Sequence, residues 1–439
     1  MSARRTLPEG ARRGWCPSLA RPMPTGDGLL ARVHPPLGRL TPDQMRALAE
    51  GARTYGNGHI DVTARGNLQI RGVSEASAPR LACALAQAGL GDTRDDGGPQ
   101  RLTLTAPLAG LDGSETIDVP ALARAVEAVG LAVPGLPAKT LVAVDGGGAF
   151  GLGPVEADFF LFAEGRAQVA FGLAGADGPI RCGVLPELGA AGALGLALAA
   201  FAGTGRRRVR DLDAQQRALV AAAAGFHPLA PTPLAPAPMP AGPGPAALPE
   251  GRAAILVQAP FGRCTAERLE RAAALAGPDG ARLSPERGFA FLAPGTADVT
   301  AILQAALAEA GFIVSPDDPR RTVFACPGAP ACRSGTTPVP DHAARLAAVL
   351  APLANPGGAT RSDPGPTVHV SGCAKGCAHP GRADLTLVAR DGAYDVVLGG
   401  EPGDEPATRL AFEAALDRIR KAAAAGRPAL DLAFRDDLR

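Results

Sequence analysis

The chain repeats itself. Val33-His-Pro-Pro-Leu-Gly-Arg-Leu-Thr41 returns 224 positions later as Val257-Gln-Ala-Pro-Phe-Gly-Arg-Cys-Thr265. Val142-Ala-Val-Asp-Gly-Gly-Gly returns as Val368-His-Val-Ser-Gly-Cys-Ala at an offset of 226. That second offset also carries Pro154 onto Pro380, Ala157-Asp158 onto Ala383-Asp384, and Leu161 onto Leu387. A period this long is far beyond solenoid repeats, so the expected fold is a duplicated module with a pseudo-twofold relation between its copies.

Each copy divides into a smaller α+β unit with a helix and a hairpin, then a larger α/β unit that begins with strands. The expected boundaries are an N-terminal segment 1–27, small units 28–95 and 251–318, and large units 96–227 and 319–439. A linker spans 228–250. Nine of the 23 linker residues are proline, which predicts a semi-rigid extended spacer. Thr41-Pro42-Asp43-Gln44 predicts a capping box, followed by a helix with Met45, Leu48, Ala49 and Ala52 on one face. Leu269, Ala272 and Ala273 take the first three of these places in the second copy. Strands are expected at 141–144, 159–162, 368–370 and 385–388. The apolar run 188–203 reads as a buried helix, too short to span a bilayer.

Cys326-Pro-Gly-Ala-Pro-Ala-Cys332 and Cys373-Ala-Lys-Gly-Cys377 form a Cys-x5-Cys…Cys-x3-Cys set whose spacers are small residues with room for a bulky group. A cubane iron–sulfur cluster takes four such thiolates. Structural zinc favours tighter pairs, so the five-residue spacer counts against it, and four buried core cysteines are the remaining alternative. Cys83, Cys182 and Cys264 are scattered and read as core.

In the first copy, residues 59–73 read as a hairpin closed by Gly66-Asn67-Leu68. That register pairs Arg65 with Gln69 and Thr63 with Arg71, placing all four on one polar face. Such a face suits carboxylates or phosphates, since guanidinium pairs with them bidentately. In the second copy, with Arg65 laid on Arg287, apolar residues replace the rest. The cysteines diverge the other way, with Gly147 and Gly151 standing where Cys373 and Cys377 stand. Copies that divide labour in this manner are expected to meet at a shared site.

The net charge of +1 gives no field that would select nucleic acid or a membrane surface. Residues 1–28 show no apolar secretory core, and eight cysteines without one predict a reducing, cytoplasmic location in preference to a disulfide framework.

The duplication, the cysteine set and Thr63-Ala-Arg65-Gly-Asn-Leu-Gln69 together resemble the nitrite/sulfite reductase superfamily over about residues 28–400. The resemblance implies ferredoxin-like half-domains for the small units and a [4Fe-4S] cluster on Cys326, Cys332, Cys373 and Cys377. In the reductases Cys377 would be the position bridging to sirohaem. Arg65, Gln69, Arg71, Lys139, Arg287 and Lys375 would face a tetrapyrrole. Lys139 stands alone where the reductases show two basic residues, and Arg32-Val-His34 replaces an Arg-x-Arg pair. Gly14-Trp-Cys16-Pro17 and Arg21-Pro22-Met23-Pro-Thr-Gly26-Asp27-Gly28 resemble the precorrin-3B synthase branch of the aerobic route to cobalamin. There the tetrapyrrole is the substrate. The implied reaction is a monooxygenation, in which precorrin-3A and dioxygen give a hydroxylated lactone. It needs an electron donor, either an NADH-linked reductase or a ferredoxin. That branch is associated with a non-haem iron as well, and His34 and His379 are its positional candidates. The competing expectations are a sirohaem-dependent nitrite or sulfite reductase and a non-enzymatic tetrapyrrole or cluster carrier.

Overall fold

Helix formation in the small units follows the capping signals. In the computed structural model, which describes residues 15–227, 232–240, 242–354, 365–379, 381–425, 430 and 432–434, Thr41 Oγ1 accepts from Gln44 N at 3.2 Å. Gln44 Oε1 accepts in return from Thr41 N at 3.0 Å. This closes the capping box at the start of helix Pro42–Tyr55, which buries Met45, Leu48, Ala49 and Ala52 as expected. Thr265 caps Ala266–Leu275 in the second copy, which buries Leu269, Ala272 and Ala273.

The repeat extends to backbone detail. The Pro-Leu-Gly-Arg and Pro-Phe-Gly-Arg loops hold Leu37 and Phe261 at φ 50° and 58°, strained for side chains of this size. After each loop the chain crosses over. Arg263–Thr265 adds to the first small sheet by pairing Cys264 with Ile60 and Arg263 with Asp61. Arg39–Leu40 adds to the second by pairing with Arg282 and Ala281. Both small units therefore share one core, in which Met45, Leu48 and Ile60 pack with Leu269, Phe289 and Phe291.

Each small unit opens with a strand lying outside the sequence-based boundaries. Met23–Thr25 pairs with Gly28–Val33, and Gly244–Leu248 pairs with Arg252–Gln258. Both are edge strands containing a proline, Pro24 and Pro245, and an edge is where a strand can lack one N–H. The absence of apolar alternation hid them. Described parts of the Pro-rich stretch are accordingly built into sheets. Thr232–Pro233 extends the first large sheet, Gly244–Leu248 belongs to the second small sheet, and Gly153 N donates to Pro238 O at 2.8 Å between them. A Cβ on Gly151, the counterpart of Cys377, would lie 2.3 Å from Pro238 O.

The large units share one topology. Thr103–Thr105, Val142–Asp145 and Phe159–Ala163 are parallel neighbours, continued antiparallel by Gln168–Ala174 and Pro179–Pro186. Val323–Ala325, Val368–Ser371, Ala383–Arg390, Ala393–Gly400 and Thr408–Leu410 repeat this order. The first core centres on edge-on contacts of Phe159 with Phe171 and Phe201. The mixed α+β architecture of a duplicated module is as expected.

Two burial expectations fail. Helix Glu187–Gly203 buries Ala190, Leu194, Ala197, Leu198 and Phe201, but leaves Leu188 and Leu196 exposed, because no element covers its outer side among the described residues. Cys83 is exposed on a helix surface, whereas Cys264 is buried and its thiol is pushed up to about 12 by that burial. No helix among the described residues is long and apolar enough to cross a membrane.

Candidate active site

A cavity of about 700 Å³ opens between the two copies. Its walls include Arg32, Arg65, Gln69 and Arg71 from the first copy, and Phe261, Arg263 and Arg287 from the second. Cys326 and Cys377 also line it. The volume lies within the range of small-molecule and cofactor sites.

The hairpin on its wall differs in register from expectation. Asp61 pairs with Gln69 and Val62 with Leu68, and the turn is closed by Thr63 N donating to Asn67 O at 2.9 Å. Thr63 Oγ1 accepts from Arg65 N and Asn67 N, and Gly66 takes φ 58°. Thr63 thus stabilises an earlier turn, for which Gly66 supplies the left-handed residue. The slip moves the pairing by an even number, so the faces survive. Gln69 and Arg71 stay on the polar side with Asp61 added, Val62 and Ile70 stay in the core, and Arg65 and Ala64 pass to the loop.

The match of Arg65 to Arg287 is likewise corrected. Val62 pairs with Leu68 as Leu283 pairs with Phe289, which gives a local offset of 221 (283 − 62). Arg65 then corresponds to Glu286, and Arg287, at φ 60°, to Gly66. Arg287 is an innovation of the second copy that reaches the same cavity.

Six of the seven arginines that line the cavity fall into two groups. Arg71, 3% exposed, donates to Asp27 through Nε at 3.0 Å and Nη2 at 2.9 Å, and to Asp61 through Nη1 at 3.0 Å. Arg263 also meets Asp61 at 3.2 Å, and Arg320 meets Asp318 at 2.5 Å. For Arg32, Arg65 and Arg287, no carboxylate stands within ion-pair distance among the described residues. Burial, which disfavours charge, lowers the pKa of all three. They still remain cationic, because arginine starts so high. Arg65 Nη1 donates to Lys139 O at 3.2 Å, and Arg287 Nη2 donates to Ala378 O at 2.8 Å. Arg32 was not among the selected site residues, although Arg32-Val-His34 marked it as the basic residue kept from an Arg-x-Arg pair. Lys139 and Lys375 do not line the cavity. Lys139 sits behind Arg65, its pKa lowered by burial, and Lys375 Nζ contacts Ser334 Oγ at 3.1 Å.

The four cysteines come together from two loops. Burial raises the Cys326 and Cys377 thiols, and Cys373 and Cys332 near each of them raise it further. Gly372 N donates to Cys326 Sγ at 3.1 Å. A Cβ on Gly372 would stand 3.2 Å from that sulfur. Among the described residues no three His, Cys, Asp or Glu side chains converge on a single ion. Four thiols supplied in two pairs by neighbouring loops are the donor set that an iron–sulfur cluster takes.

Among the described residues neither candidate histidine belongs to a group of three His, Cys, Asp or Glu side chains around one point. His34 is held well below its usual range by burial and then by Arg32 and Arg101, surroundings that repel a cation. His379 stacks on Phe324 with ring centroids 4.5 Å apart, and its Nε2 lies 3.0 Å from Arg382 O.

Residues 21–88 match the nitrite/sulfite reductase ferredoxin-like half domain, a span that takes in the edge strand at Met23. A precorrin-3B synthase of Sinorhizobium sp is 38% identical over 416 residues, covering 90% of this chain and 84% of the relative. A ferredoxin–nitrite reductase of Leptolyngbya laminosa is 37% identical over 114 residues, 26% of this chain and 22% of the relative. In fold, the structure of the NirA protein of Mycobacterium tuberculosis superposes with a TM-score of 0.67 at 22% identity, over 94% of this chain and 85% of that one. The reductase likeness in sequence is thus confined to part of the chain, whereas the synthase likeness runs through both copies. By that extent, the chain belongs to the precorrin-3B synthase family, within the nitrite/sulfite reductase superfamily.

Proposed function

We propose that this enzyme hydroxylates precorrin-3A with dioxygen and closes a lactone, as a monooxygenase of cobalamin biosynthesis in the reducing cytoplasm. The observation that carries the reading is the single cavity in which arginines of both copies face Cys326 and Cys377. Arg32, Arg65 and Arg287 would hold substrate carboxylates, since charge-assisted bidentate pairs combine strength with orientation. Gln69 would hydrogen-bond the substrate periphery, and Phe261 would give the macrocycle apolar contact. Lys139 and Lys375 would contribute charge from behind the wall.

Cys326, Cys332, Cys373 and Cys377 would hold a [4Fe-4S] cluster. When bound, it supplies electrons one at a time, received from a ferredoxin or an NADH-linked reductase. The chain's own part is to fix the macrocycle by its carboxylates, which restricts oxygen insertion to one carbon. Labelled dioxygen given with precorrin-3A and reductant should place label in the new hydroxyl; label arriving from water contradicts the monooxygenation.

The partial likeness to nitrite reductases supports a second reading, a sirohaem-dependent reductase of nitrite or sulfite. Red-region absorption from tightly held sirohaem in the isolated protein would favour it and remove the first.

A further inference from the structure

Arg71 belongs to the first copy, yet its guanidinium ends on the cysteine loop of the second. Its Nη2 donates to the carbonyl of Ala331 at 2.5 Å, across 260 positions of sequence and next to Cys332. The same carbonyl accepts from Gly26 N at 3.2 Å. Asp27 accepts Arg71 on both oxygens and also receives Thr25 Oγ1 at 2.8 Å and Asn57 Nδ2 at 3.1 Å. Burial alone would raise the Asp27 carboxyl, but hydrogen bonds from Arg71 and Thr25 outweigh it and keep the group ionised. At Gly26 the two backbones lie so close that a Cβ would stand 2.2 Å from Pro330 O.

Four of the five N–H groups of Arg71 are therefore used inside the protein, against two carboxylates and one loop carbonyl. An incoming substrate carboxylate would have to displace Asp27 and settle beside Asp61, which like-charge repulsion opposes. The single N–H left over cannot make the bidentate pair that the expected anion-clamp role requires.

We propose that Arg71 is a positioning residue for the Cys326–Cys332 loop, and that Gly26-Asp27 is the other half of the same latch. The proposal rests on the reading that the four thiols hold the cluster. The latch couples the two copies, because the first copy's hairpin and its leading turn fix where Cys332 can stand. Lysine cannot reproduce it, since one ammonium cannot span Asp27, Asp61 and Ala331 together. A methyl group at position 26 breaks it by another route, pushing the backbones apart without touching a charge.

The test compares Arg71→Lys, Gly26→Ala and Arg65→Ala with wild type, all as cluster-loaded protein. It measures iron release to an excess of chelator and the cluster's midpoint potential. Arg71→Lys and Gly26→Ala should both lose iron about tenfold faster, the loss expected from one charge-assisted hydrogen bond, and shift the potential in the same direction. Arg65→Ala, which removes a cavity cation without touching either cysteine loop, should release iron at the wild-type rate. If Arg71→Lys and Gly26→Ala release iron at the wild-type rate, the latch is overturned. Wild-type protein that binds no cluster at all overturns the functional reading beneath it instead.

Discussion

Arg287 Nη2 donates to the backbone carbonyl of Ala378 at 2.8 Å, one residue beyond Cys377. Arg287 occupies a left-handed turn position that the first copy fills with Gly66. Backbone strain is accepted there in exchange for a cation that touches a cysteine loop and faces the cavity at once. With Arg71 at Ala331, each cysteine loop is held by an arginine from a different small unit.

Arg65 is a suitable cavity arginine to test for substrate binding, because among the described residues it has no carboxylate partner and its guanidinium donates to Lys139 O, away from both cysteine loops. Arg65→Ala should weaken tetrapyrrole binding roughly 10- to 100-fold, the worth of one charge-assisted contact. Iron content should stay unchanged. An absorbance titration with precorrin-3A reads the affinity, and an unaltered Kd removes Arg65 from the site.

Cys373→Ser should abolish the brown absorption and most of the iron while the far-ultraviolet circular dichroism is retained, because Cys373 lies on a half-buried loop outside the core. Four irons per chain surviving in this variant would refute the ligand set.

Glu115 carries a pH dependence of its own. Burial, and then Asp112, Asp145 and Asp118, push its carboxyl up to about 7, against a hydrogen bond from Gly110 N. Between its unfolded pKa near 4.5 and about 7 the folded state binds more protons, so this group's contribution to stability falls as pH rises. Glu115→Gln should melt higher than wild type at pH 8 and lose most of that advantage at pH 5. Thermal melts at the two values decide it, and an equal difference at both would refute the assignment.

His369 acts on the acid side. It is fully buried, neither ring nitrogen has a hydrogen-bond partner among the described residues, and burial, then His379 and Arg287, lower it to about 3. Below pH 6.5 the unfolded chain takes a proton that the folded chain refuses, so stability is lost as pH falls toward 3. His369→Leu should flatten that loss, as read from urea midpoints between pH 7 and 4.5. A parallel decline in wild type and variant would contradict the account.

The two-copy architecture was legible because strand and helix signals are local and the repeat supplied them twice. Thr41 and Gln44 announced a capping box, and Leu269 and Ala272 announced the matching face. The four cysteines were legible as a set through their spacing. Met23–Thr25 and Gly244–Leu248 were not, because an edge strand needs neither apolar alternation nor a full complement of N–H donors. The hairpin register escaped as well. Thr63 Oγ1 selects the turn by bonding two backbone N–H groups, a choice invisible in alternation alone.

The residues alone reveal two pseudo-equivalent halves, the one that carries the thiols and the one that carries the polar hairpin. Which cations remain available to a ligand depends on the folded chain. Arg65 and Arg71 look alike in sequence, yet Arg71 is neutralised by Asp27 and Asp61 and Arg65 is not. The reason is physical: the free donors and direction of a buried guanidinium depend on which carboxylates and carbonyls folding brings within about 3 Å of it. Those partners come from 10, 44 and 260 positions away along the chain.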